Sequence, residues 1–162
     1  MIWQYGNYKF DCNLRPPTLH KFSEWKTEFF RLENVDKYNV WLASGFVEDW
    51  KTLDIDIVLT NKPIYPELQK LMLEAIKLGV EKNIFIDICW WDKKPLDYTK
   101  SKKVEEVTKI VIGNKIIQDG RLITDWTSSE EIYPNLYKFS KVYPTQKQMK
   151  RIYKNKPILL EV

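Results

Sequence analysis

The sequence reads Trp41-Leu-Ala-Ser44-Gly45-Phe-Val-Glu-Asp-Trp-Lys51-Thr-Leu-Asp54-Ile-Asp56-Ile-Val-Leu-Thr60 where two apolar runs meet around a Ser-Gly pair. The first run, residues 38–43, predicts a buried strand. The second run predicts another strand, and it carries two acids. Because side chains alternate between the faces of a strand, we expect Asp54 and Asp56 to project together, away from the core.

Two neighbouring carboxylates on one strand face have two interpretations. Either they lie on the solvated face of an edge strand, or they hold a divalent cation that relieves their repulsion. Aspartate is depleted in strands, so two of them among Leu, Ile and Val favour the second interpretation. Oxygen-only ligands suit Mg²⁺ or Mn²⁺. We therefore predict a metal site at Asp54 and Asp56.

Length, composition and charge limit the classes to which this protein can belong. A chain of 162 residues with 44% hydrophobic and 14% aromatic residues is long enough for one domain with a real core. Its net charge of +4 suits a nucleotide or nucleic-acid partner, although solubility alone explains it equally well. Cys12 and Cys89 form no CxxC pair, which argues against a zinc site. No signal pattern or apolar run of about 18 residues is present, so we expect a cytoplasmic protein without a membrane partner.

Patterns on either side of the central stretch predict the remaining elements. Turn residues, helical periodicity and capping residues mark their limits. The predicted elements are a hairpin at 2–5 and 8–10, a helix capped by Thr18, a helix from Pro66 ending at Gly79, a strand at 83–91, strands at 107–112, 115–118 and 121–126 joined by hairpin turns, one or two short helices within 129–151 such as 145–153, and an edge strand at 157–160.

These elements predict an α/β (α+β) fold, in which a mixed β-sheet is flanked by helices and extra β-hairpins lie in the C-terminal half. We expect residues 1–127 to form the main domain. Residues 128–162 are rich in Tyr and Lys and are expected to be an extension packed on that domain. This extension is either a platform on which nucleic-acid bases stack or part of a core with a basic surface.

A third acid, Asp87, interrupts the apolar strand predicted at residues 83–91. An acid inside a buried strand is costly unless it has a partner. Three acids on adjacent strands beside a Ser-Gly turn describe a site for a nucleoside triphosphate and Mg²⁺. One ion would clamp the triphosphate and a second would lower the pKa of an attacking hydroxyl; alternatively, Asp87 acts as the general base.

Other groups are expected to contact the triphosphate. The Ser44 hydroxyl and the Gly45 amide are candidates, since a residue without a Cβ lets the backbone approach closely. Lys51 and Lys62 are the nearest cations. The single histidine, His20, lies near a predicted helix start, and a surface or capping role is expected for it rather than catalysis.

The order Ser44-Gly45, Asp54-Ile-Asp56-Ile, helix, and a strand bearing Asp87 resembles the DNA-polymerase-beta-like nucleotidyltransferase superfamily. The resemblance covers roughly residues 18–92. The turn of this chain reads Ser-Gly where the family usually has Gly-Ser or Gly-Gly. It implies that Asp54 and Asp56 are metal ligands, that Asp87 is the third carboxylate, and that Ser44-Gly45 is the phosphate turn.

The resemblance implies a metal-dependent enzyme that moves a nucleoside monophosphate from an NTP, such as ATP, to a hydroxyl and releases pyrophosphate. The acceptor is left open among a nucleic-acid end, a protein and a small molecule. Small members of this family commonly need a homodimer or a partner chain. Two alternatives come from other classes: a non-catalytic nucleotide- or RNA-binding module that keeps the fold, and an interaction scaffold that uses exposed aromatic residues.

Overall fold

The computed structural model describes ten parts of the chain: residues 2–5, 8–11, 17–43, 54–95, 107–111, 115–118, 121–122, 126–131, 138–144 and 156–162. Side chains are described at residues 17–43, 55–64, 67–95 and 156–162.

Within these ranges the chain forms strands and helices in the following order. They are β1 (Ile2–Tyr5), β2 (Tyr8–Asp11), α1 (Leu19–Phe29), a 3-10 turn (Val35–Lys37), β3 (Asn39–Ala43), β4 (Asp54–Thr60), α2 (Tyr65–Glu81), β5 (Phe85–Trp91), β6 (Val107–Val111), β7 (Lys115–Gln118), β8 (Arg121–Leu122), β9 (Trp126–Glu131), β10 (Lys138–Pro144) and β11 (Ile158–Leu160). Neither described helix has the length and apolar character that crossing a membrane requires.

The larger of two described sheets contains seven strands in the order β11-β3-β4-β5-β6-β10-β9. Its β4–β5 pair is parallel, and its other pairs are antiparallel. The smaller sheet has the order β2-β1-β7-β8. The expected mixed sheet with helices, of the α+β class, is confirmed, and the predicted hairpin at the N-terminus and the edge strand at the C-terminus are both present.

Both helices pack on the same face of the larger sheet. Alternate residues of β3, β4 and β5 join the helices in one apolar core. From the sheet this core takes Val40, Leu42, Ile55, Ile57, Leu59, Ile86, Ile88 and Trp90. The odd-numbered positions of β4 therefore face the helices, and Asp56 lies on the opposite face.

Helix α1 begins where the sequence predicts, because the Thr18 hydroxyl accepts a hydrogen bond from the Lys21 amide at 3.2 Å. Its fully buried Trp25 donates an indole N–H to the Ala75 carbonyl of α2 at 2.9 Å. At the helix ends, the Lys82 ammonium lies 3.2 Å from the Glu28 carboxylate. These contacts hold α1 across α2 and complete the apolar layer.

The start of α2 is fixed by Tyr38, which lies just before β3. Its hydroxyl accepts a hydrogen bond from the Ile64 amide at 3.1 Å, and burial raises the pKa of this hydroxyl. Pro66 lies in the first turn of the helix, as predicted, where the lack of an amide hydrogen costs nothing.

The prediction that α2 ends at Gly79 is wrong, because the helix continues to Glu81 and Lys82 is its C-cap. The glycine is required for a different reason. A Cβ atom at position 79 would lie 2.7 Å from Cγ1 of Ile86 and 3.0 Å from the backbone oxygen of Ile84. Gly79 therefore allows the end of the helix to contact the start of β5.

Three predictions for the C-terminal half are also wrong. Strands β6 and β7 do not form a hairpin, since they belong to different sheets, whereas β7 and β8 do. The strand expected over residues 121–126 ends at Leu122, and a new strand begins at Trp126. Part of the segment expected to be helical forms strand β10, which pairs with both β6 and β9. The Tyr-rich and Lys-rich composition of this segment gave no clear strand pattern. The helix predicted at 145–153 lies outside the described residues.

We predict that Gly79→Ala lowers the free energy of unfolding by about 1–2 kcal/mol. Alanine normally favours a helix interior by up to about 1 kcal/mol, but the added methyl group must displace a buried side chain and a backbone oxygen. Urea unfolding measures the change. Lys70→Ala, on the exposed side of α2, is the control and should change stability by less than about 0.5 kcal/mol. A Gly79→Ala variant as stable as the wild type would contradict this account.

Candidate functional site

Two of the three predicted acids are direct neighbours in the sheet. Asp56 of β4 pairs with Asp87 of β5 in the parallel register. Adjacent strands lie about 4.8 Å apart, and paired residues project from the same face. The prediction that an acid of the third strand approaches the Asp-x-Asp pair therefore agrees with the backbone geometry at Asp56 and Asp87.

The two carboxylates lie in partly exposed positions next to buried apolar residues. On the same face, Val58 is 2% exposed and Cys89 is 6% exposed, whereas Asp56 and Asp87 are both of intermediate exposure. Carboxylates in such surroundings retain access to solvent while their apolar neighbours limit hydration. Carboxylate oxygens that keep access to solvent are of the type that Mg²⁺ binds, so a metal role for this pair stays a prediction.

Asp54 is the first residue of β4 and pairs with Phe85. Its side chain is outside the part of the structure that is described, so its role as a third ligand stays a prediction. Among the described side chains, no group of three His, Cys, Asp or Glu residues is placed to hold a metal ion. The pair Asp56 and Asp87 supplies two carboxylates, and strand alternation predicts that Asp54 supplies another.

The predicted phosphate turn directly follows the strand residue that pairs with Asp56. Ala43, the last residue of β3, pairs with Asp56. Ser44 is the next residue in the chain, so the backbone enters the Ser44-Gly45 segment from a position beside the acids. Ser44, Gly45 and Lys51 themselves lie outside the described residues, and their predicted phosphate contacts stay predictions.

Lys62 lies at a distance from the acids. It follows the end of β4 and is exposed, and it lies six positions beyond Asp56 along the chain. It lines a surface pocket of about 270 Å³ at the ends of β4 and β5. This pocket was not predicted from the sequence. The sequence feature that could have predicted the pocket is the pair of polar segments that follow the two strands, Asn61-Lys62 and Asp92-Lys93-Lys94.

His20 has the surface role that the sequence predicts. Its Nε2 atom lies 2.8 Å from the Glu24 carboxylate, one turn further along α1, and 82% of its side chain is exposed. Because it lies on the helix layer and the acids project from the opposite face of the sheet, His20 takes no part in the candidate site.

Comparisons with protein-family models, with curated proteins and with solved structures return no match for this chain.

We predict that Mg²⁺ or Mn²⁺ stabilises the protein through Asp56 and Asp87. An ion that binds the native state at ten times its dissociation constant adds about 1.4 kcal/mol to the free energy of unfolding. Urea unfolding with and without the ion measures this gain. It should be absent in Asp56→Asn and Asp87→Asn and retained in the control Asp36→Asn, which alters an exposed acid on the 3-10 turn. Equal stabilisation of all four proteins would contradict a specific site.

Proposed function

We propose that this protein is a metal-dependent nucleotidyltransferase that moves a nucleoside monophosphate from an NTP, such as ATP, to a hydroxyl acceptor and releases pyrophosphate. The observation that supports the proposal is the parallel register that pairs Asp56 with Asp87 beside the end of β3. Because side chains alternate along a strand, Asp54 is expected on the same face as Asp56, where it would complete a site of three carboxylates. As an enzyme of NTP chemistry, it is proposed to act in the cytoplasm.

In the proposed reaction, the acceptor oxygen attacks the α-phosphorus of the NTP. The bond between that phosphorus and the oxygen bridging to the β-phosphorus breaks, and pyrophosphate leaves. When bound at these carboxylates, Mg²⁺ would neutralise charge at the phosphates and would lower the pKa of the acceptor hydroxyl. Asp54, Asp56 and Asp87 would hold the ion and orient the reacting groups, and the Asp87 carboxylate would also accept the hydroxyl proton.

Phosphate charge away from the metal also needs partners. The Ser44 hydroxyl, the Gly45 amide and Lys51 are proposed to contact the triphosphate, since they follow β3 in the chain and β3 ends beside Asp56. Backbone amides and hydroxyls placed in this way stabilise the charge that develops on the leaving pyrophosphate. A homodimer or partner chain is proposed to complete the acceptor site.

The proposal is tested by incubating the protein with each of four α-labelled NTPs and Mg²⁺ or Mn²⁺, with RNA, DNA ends and protein as acceptors. We predict label transfer by the wild type and a loss of at least about 100-fold in Asp56→Asn, because the change weakens the site for the ion that would stabilise transition-state charge. Asp87→Asn should behave similarly if its carboxylate accepts the proton.

Asp36→Asn is the matched control and should transfer label at the wild-type rate. Metal-dependent NTP binding without transfer would instead identify a non-catalytic nucleotide- or RNA-binding module, the function that the reversed order of the Ser44-Gly45 turn favours. If the wild type neither transfers label nor binds NTP, the proposed function is wrong.

A further inference from the structure

A pocket of about 270 Å³ opens beyond the carboxyl ends of β4 and β5. In open sheets with parallel strands, ligands bind in the crevice at this end of the strands. Six residues line the pocket: Thr60, Asn61, Lys62, Trp90, Asp92 and Lys94. It therefore combines a buried wall from the sheet with charged groups at its rim.

Hydrogen bonds fix the wall of the pocket. The Trp41 indole donates to the Thr60 hydroxyl at 3.0 Å, and the Trp90 indole donates to the Asn61 carbonyl at 2.6 Å. Asn61 has a φ of 99°, and its side-chain amide lies 3.4 Å from the carbonyl of Lys37. These contacts hold the turn after β4 in one conformation, so a ligand would not have to order it.

The rim carries two exposed lysines, Lys62 and Lys94, and one exposed acid, Asp92. The ion pairs found among the described side chains include neither lysine. Two ammonium groups facing one pocket favour an anion, and phosphate is the anion that lysine commonly binds as a point charge. The single acid reduces the net charge of the rim to +1, which suits one phosphate group held weakly.

This pocket is separate from the acids. Asp56 and Thr60 are four positions apart on β4, which corresponds to about 13 Å along a strand. Mg²⁺ binds its ligands at about 2.1 Å, so a phosphate in the pocket cannot be the one bonded to a metal at Asp56 and Asp87. Two phosphate groups of the bound reactants would therefore occupy two different places on the sheet.

We propose that the pocket at Lys62 and Lys94 is a second phosphate subsite, which holds a phosphate remote from the reacting centre. The inference deepens the proposed function and rests on it. The remote phosphate belongs either to the distal end of the NTP or to the backbone of a nucleic-acid acceptor. Both carry the same chemistry, and the choice of probe separates them.

The test compares the wild type with a Lys62→Gln, Lys94→Gln double variant. The matched control is Lys70→Gln, Lys156→Gln, which removes the same charge from exposed positions outside the pocket. Calorimetry in EDTA measures binding of inorganic phosphate, ATP and a ten-nucleotide single-stranded DNA. Equal thermal unfolding midpoints check that the variants keep the fold.

We expect inorganic phosphate to bind the pocket variant about five- to tenfold more weakly than the wild type, because exposed charge pairs each contribute only modestly to affinity. The control should change affinity less than twofold. A matching loss for ATP identifies the nucleotide as the source of the phosphate. A matching loss for the oligonucleotide, with a salt dependence shallower by about 1.4 in log-log slope, identifies a nucleic-acid acceptor.

Inorganic phosphate that fails to bind the wild type, or that binds both double variants equally, overturns the proposal. Binding of inorganic phosphate in EDTA does not depend on the catalytic acids. Asp56→Asn should bind phosphate in EDTA as the wild type does while losing label transfer. Lysine-dependent phosphate binding by a wild type that transfers no label would reject the proposed function and leave the pocket as an anion site.

Discussion

The parallel pairing of β4 with β5 is the constraint on which the candidate site depends. Two parallel strands need a crossover between them, and α2 supplies it. Because both helices pack on one face of the sheet, Asp56 and Asp87 project from the opposite face, beside the buried Val58 and Cys89. In this register Asp56 and Asp87 are neighbours, so a feature of topology brings together two acids that are 31 positions apart in the sequence.

Local packing sets this register. At the end of α2, Gly79 lets the helix approach Ile84 and Ile86, and the Gly79 carbonyl accepts hydrogen bonds from the amides of Lys82 and Ile84, both at 3.0 Å. The chain therefore enters β5 at a fixed position against the helix. A shift of one residue would move Asp87 to the helix face and a large apolar residue to the opposite face, and such a slip is prevented wherever one face is buried.

The sequence predicted most of the fold around residues 17–91 because there each local signal agrees with the tertiary structure. The Thr18 cap, the apolar stripes of both helices and the alternation in β4 are all read from neighbouring residues. Gly79 was misread because its role depends on contact with another strand. The C-terminal strands were misread for a related reason, since β10 forms between β6 and β9, and β7 joins the sheet of β1. Strand partners that distant are not encoded in composition.

The candidate site was likewise predicted where local patterns define it and missed where it depends on distant residues. Alternation within a strand was sufficient to associate Asp54 with Asp56, and an acid in an apolar run was sufficient to single out Asp87. The pocket at Lys62 and Lys94 was not predicted, because it forms where two strand ends meet across the crossover. Its residues are ordinary turn and surface residues in the sequence, and their proximity is a property of the parallel pair.

The most direct test of this account is a crystal structure of the protein grown with Mn²⁺ and a non-hydrolysable NTP, with data collected at the manganese absorption edge. We predict an anomalous peak within about 2.5 Å of carboxylate oxygens from both Asp56 and Asp87, with a phosphate of the NTP on the same ion. An ion bound elsewhere, or an Asp56–Asp87 pair without an ion at saturating Mn²⁺, would contradict the claim that this register builds a metal site.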